Sequence, residues 1–130
     1  MDVKGMREIL FRGKRLSNGE WVYGFIIKVF GTYCIIDKDY DKHIAYKIIP
    51  ETVGQYTGLT DKNGKKIFEG DIMAFTAYGF DYVGTVEFAY GCASVMCEHA
   101  TPFLDQAVSK HGAYIIGNMH DNPELLNGAE

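Results

Sequence analysis

Apolar positions recur with a period of two over most of the chain. In residues 20–28, Trp21, Tyr23, Phe25 and Ile27 alternate with Val22, Gly24, Ile26 and Lys28. Such alternation in β-branched and aromatic residues predicts a strand with one well-buried face. Residues 8–12 can pair with it as an antiparallel hairpin, because Ser17, Asn18 and Gly19 tolerate the backbone of a tight turn. Residues 33–37 and 43–49 read as a second hairpin around the polar loop 38–42. Pro50 ends its last strand, since proline has no N–H to give to the ladder. Residues 52–56 add a further short extended piece, so the first fifty-odd residues form a small β-meander.

Glycine-bearing turns punctuate the middle, with Asn63-Gly64 the plainest of them. Strands follow at 71–76 and 82–90, joined by a loop containing Tyr78, Gly79, Phe80 and Asp81, and a shorter one at 93–98. One segment changes period. Thr101 and Pro102, then Phe103, Leu104, Ala107 and Val108, then Gly112, stand in the order cap, first-turn proline, apolar stripe and C-terminal glycine. This predicts one short helix. Residues 113–118 return to strand, and Asn122-Pro123 starts a terminal turn. Seven or eight short strands and one short helix predict a mainly β fold, an all-β roll or barrel whose closure removes exposed edges.

Composition narrows the class. With 130 residues, 47% of them hydrophobic and 14% aromatic, the chain has apolar surface enough to offset the entropy of ordering, which excludes a disordered protein. Cys34, Cys92 and Cys97 are too few and too odd for a disulfide framework, which points to a reducing compartment. The first fifteen residues show no signal-peptide pattern, and Lys28, Gly31 and Asp37 interrupt the apolar runs well short of a membrane span. A cytoplasmic protein without membrane contact is the expectation. The net charge of −4 weighs against generic phosphate-backbone binding.

Candidate chemistry is sparse. Cys92, Cys97 and His99 form a C-x₄-C-x-H group, but no second ligand pair completes a zinc tetrahedron, so no metal is expected. Gly58, Gly64, Lys65 and Lys66 do not make a phosphate loop, and no nucleophile elbow or dinucleotide fingerprint is present. No catalytic residue, cofactor or small-molecule substrate is therefore assigned. Contact residues are the better candidates. Tyr78, Phe80 and Tyr82 flank glycine in the expected loop, whereas Trp21, Phe25, Phe75 and Phe88 are assigned to the core. Arg7, Arg12, Lys14 and Arg15, with Lys62, Lys65 and Lys66, are the basic positions a nucleic acid could use.

The unbroken stretch 53–72, VGQYTGLTDKNGKKIFEGDI, resembles the central signature of the YopX family of phage and prophage proteins. The closing block 115–126, IIGNMHDNPELL, is similar to that family's last motif, and Phe11-Arg12 with residues 19–24 stands in the matching place. His120 occupies a position more usually aromatic, and the stretch from Tyr78 to His111 is variable. The resemblance implies a β-meander over 1–54 and an SH3-like barrel over 55–130, packed as one unit in the cytoplasm of a bacterial host. It implies no catalytic residues. The expected function is a non-enzymatic module that binds a protein partner or itself, with nucleic-acid binding as the alternative.

Overall fold

The alternating stretches are strands, and the chain divides between Gly58 and Leu59 into two units. The computed structural model describes residues 8–39, 44–89 and 91–127. Arg7, Tyr90, residues 40–42 of the first polar loop and His43 of the strand expected after it lie outside them.

The first unit holds β1 (Phe11–Lys14), β2 (Trp21–Val29), β3 (Thr32–Asp37), β4 (Ala45–Lys47), a 3-10 turn at Pro50–Thr52 and the start of β5 (Gly54–Thr60). Their order in the sheet is β4-β3-β2-β1-β5, and the pairs are antiparallel. Leu10, Cys34, Ile35, Ile48 and Tyr56 are its buried apolar residues. Strand β1 begins later than the apolar run 8–12 suggests. The reason lies in the turn, where Arg15 N–H bonds the Glu20 carbonyl and Gly19 N–H bonds the Arg15 carbonyl, which sets the register at Lys14↔Trp21.

The expected buried face of β2 is not there. Pairing with β1 stops at Phe11↔Gly24, so among the described residues β3 is the one strand paired with residues 25–29. Tyr23, Phe25 and Val29 are exposed and Trp21 is half-buried, which corrects the assignment of Phe25 to the core.

The second unit holds the end of β5, β6 (Lys66–Phe68), β7 (Asp71–Ala77), β8 (Phe80–Ala89), β9 (Cys92–Cys97), α1 (Leu104–His111), β10 (Tyr114–Asn118) and α2 (Glu124–Asn127). Strand β6 follows β5 in the first sheet, and the second sheet runs β10-β7-β8-β9. Met73, Phe75 and Ala77 project from one face of β7 and join Val86, Val95, Ile67 and Ala113 in a core that Leu104 and Ala107 of α1 cover. Phe75 is thus core as expected, and Phe88 is half-buried.

Two local expectations are corrected. Helix α1 starts after Phe103 rather than at Thr101-Pro102, because the Val95 N–H takes the Pro102 carbonyl (3.0 Å) and Phe103 bridges Ser94, so these residues extend the sheet. Its predicted end holds. Gly112 adopts φ 64°, and its N–H and that of Ala113 satisfy the last helical carbonyls. The loop expected at 78–81 is only a two-residue turn, with φ of 53° at Tyr78 and 82° at Gly79, so Phe80 and Asp81 join Tyr82 in β8. Positive φ at both central residues matches the twist of a hairpin.

The family-like stretch 53–72 has a structural centre in Asp61. Its buried carboxylate accepts the N–H groups of Asn63 and Lys65 on one oxygen (2.9 Å each) and that of Ile115, on β10, on the other (3.0 Å). Burial alone would raise its pKa. The bonds from Ile115, Lys65 and Asn63, with the charge of Lys65, more than offset this and hold the carboxyl below its ordinary value.

Candidate functional site

The sequence candidates separate into groups. In the first unit the Arg12 guanidinium is buried and lies 4.7 Å from the Trp21 ring, with the Lys14 ammonium 5.5 Å from the same ring. The Arg15 guanidinium lies 4.4 Å from the Tyr46 ring, beside a groove of about 430 Å³ lined by Leu16, Ile44 and Lys47. Lys62, Lys65 and Lys66 belong to the second unit, where the Lys62 ammonium sits 4.5 Å from the Tyr114 ring. Three of the described basic candidates therefore lie on each unit, and several cover aromatic rings of their own unit.

Cys92 and Cys97 do not converge either. They occupy opposite ends of β9, five residues and so roughly 16 Å apart along an extended strand. Among the described residues, no group of three or more His, Cys, Asp or Glu side chains could hold a metal ion. Burial pushes the Cys97 thiol pKa up, whereas Cys92 is exposed and Cys34 is buried. Labelling with iodoacetamide near neutral pH is expected to modify Cys92 first, as read by peptide mass spectrometry. Equal rates at Cys92 and Cys97 would contradict the burial of Cys97.

Tyr78, Phe80 and Tyr82 are brought together, and the fold adds neighbours that spacing could not reveal. Tyr82 stacks on Phe75 (centroids 5.1 Å), Phe75 stacks on His111 (5.8 Å), and Tyr78 meets His111 edge-on (5.6 Å). The Lys110 ammonium reaches the Tyr78 hydroxyl at 3.4 Å. His111 arrives in this row because Gly112 stops α1 immediately after it. Tyr78 is 77% exposed and Phe80 67%, so the row ends in solvent.

Two concavities share Tyr82. One, of about 340 Å³, is lined by Phe80, Asp81, Tyr82, Val83, Cys97, Glu98 and His99. The other, of about 270 Å³, lies among Phe75, Tyr78, Pro102 and His111. Charge on the first is mostly negative. Asp81 accepts the Thr76 hydroxyl (2.7 Å), and Glu98 lies 3.8 Å from His99 with both side chains open to water. This arrangement offers apolar area, ring faces and two carboxylates.

These features define a class: a mainly β protein of two antiparallel sheets with an exposed aromatic groove on its second unit. The chain belongs to the YopX family, whose model, described as YopX protein, matches residues 10–127. Among solved structures it is similar to protein EF1440 from Enterococcus faecalis, at 24% identity and a TM-score of 0.60, over 93% of this chain and 99% of that one. That likeness concerns the fold. Among curated proteins none matches. No helix among the described residues is long and apolar enough to cross a membrane.

Proposed function

We propose that this is a non-enzymatic interaction module of phage or prophage origin, working in the bacterial cytoplasm, whose second unit is an SH3-like barrel that grips a protein partner. The observation that carries this reading is the ring row Tyr82, Phe75, His111 and Tyr78 beside the exposed Phe80. Exposed aromatics beside a concavity are the usual anchors of protein recognition, because they bury large areas for few frozen torsions. Family membership supports the phage setting.

Nucleic-acid binding is the second reading. Lys110 beside Tyr78 and Lys62 over Tyr114 favour it, as cations next to ring faces suit a single strand. Asp81 and Glu98 in the larger groove, and the net charge of −4, oppose it.

The test is affinity capture from lysogenic cells with the wild-type chain and a Tyr78→Ala/Phe80→Ala variant, alongside mass photometry. A partner is expected that the variant loses, since truncating anchor aromatics commonly costs about 2 kcal/mol or more. A strictly monomeric chain with no enriched partner would overturn the reading. Salt-sensitive oligonucleotide binding, read by fluorescence anisotropy, would replace it with the second.

A further inference from the structure

The groove beside Phe80 has a backbone wall. Strand β8 pairs with β7 from Phe80 to Thr85 and with β9 from Gly84 to Ala89. Among the described residues, its β9 side is therefore without a neighbouring strand over residues 80–83. The cause is local: β9 ends at Cys97, and the chain turns away as the Cys97 N–H bonds the Ala100 carbonyl (2.9 Å). Alternation along the ladder fixes which groups face the gap. Phe80 closes the two-residue hairpin against Ala77 and Tyr82 lies opposite Phe75, so these two turn their backbone groups toward β7. Asp81 and Val83 then direct their N–H and C=O groups into the groove.

We infer that this edge is a strand-addition site that takes an extended peptide of a partner protein, one in which apolar residues alternate with lysine or arginine. The inference rests on the interaction reading above and names its mode. The peptide continues the line of β9 past Cys97 and pairs with Asp81 and Val83, while its side chains fall alternately on the two faces of the sheet. On one face stand Phe80 and Tyr82, which suit apolar side chains; on the other stands Asp81, and Glu98 is at the rim. Charge decides against the competing occupant. A second copy of β8 laid on this edge would bring Asp81 and Glu98 of one chain to those of the other, whereas a basic segment meets carboxylates.

The experiment selects a displayed library of random heptapeptides on the full chain and follows the best peptide by amide NMR. Enriched sequences are expected to alternate apolar with basic residues, and the Asp81 and Val83 amides to shift on binding. Val83→Pro removes an N–H that points out of the sheet, a place where an edge strand tolerates proline, and should weaken binding about tenfold or more. Asp81→Lys, at an exposed position, should reverse the preference toward acidic peptides, so the inference stays testable should the proline variant not fold. It is overturned by a library that yields nothing, by peptides without the two-residue period, or by binding indifferent to both variants. A dimer that Val83→Pro abolishes would assign the edge to a second copy and overturn it too. A captured cellular partner that survives Val83→Pro but not Tyr78→Ala/Phe80→Ala would leave the interaction reading standing and remove only strand addition.

Discussion

Asp61→Asn is expected to destabilise the second unit by about 3 kcal/mol, because one charged acceptor serves three backbone donors in a buried place. In the better of its two orientations the amide keeps its oxygen on Asn63 and Lys65 and turns its NH₂ toward the Ile115 N–H, so that donor loses its partner and meets another donor. Amide hydrogen exchange reads this directly. The Ile115 amide should exchange roughly a hundredfold faster in the variant, since the bond that spans 54 residues from Asp61 to β10 is the one broken. A pH series supplies a second signature. The folded pKa of Asp61 is depressed, so its stabilisation is complete above the unfolded value of about 4 and is lost as pH falls through the lower folded value. The gap between wild type and variant should therefore narrow only in acid. A gap independent of pH would show that shape, rather than charge, fixes the turn.

Gly24→Ala should cost the first unit about 3 kcal/mol through overpacking. A Cβ at this position would stand 1.8 Å from the Ile36 carbonyl oxygen and 2.8 Å from its carbon, both backbone atoms that cannot rotate aside. Gly24 pairs with Phe11 on one side and Asp37 on the other, so β2 and β3 must part to make room. The sole tryptophan, Trp21, belongs to this unit and reports its unfolding in urea by fluorescence. Gly19→Ala is the control. Its Cβ would meet nothing within 4 Å, and only the φ of 71° penalises it, by about 1 kcal/mol. Equal losses for the two variants would refute the role of close strand approach at Gly24.

Much of this fold is legible in the order of residues. Period-two runs locate the strands, Asn63-Gly64 and Gly70 mark real turns, Gly58 is a positive-φ position inside β5 rather than a turn, and Gly112 ends the helix it was expected to end. These features survive because they are local: turn and cap chemistry acts within a few residues, whatever else the chain does. The boundary expected after residue 54 and the division after Gly58 both fall within β5. The strand reaches from one unit into the other, and composition has no mark for the point where contacts change sides.

The aromatic content and the motif around Asp61 were read from the chain alone, and with them the mainly β class and the family. Which aromatics face solvent was not. Phe25 looked like core and is exposed because β1 is too short to cover its strand, while Phe80 and Asp81 looked like loop and are strand because two residues suffice for the turn. The same holds for the candidate site. Tyr78, Phe80 and Tyr82 stood out by their spacing, but Phe75 joins them through the β7–β8 register, and Lys110 and His111 only through the packing of α1 on the sheet, across about thirty residues of chain. Alternation says that a strand has two faces; where its neighbours end decides what each face meets.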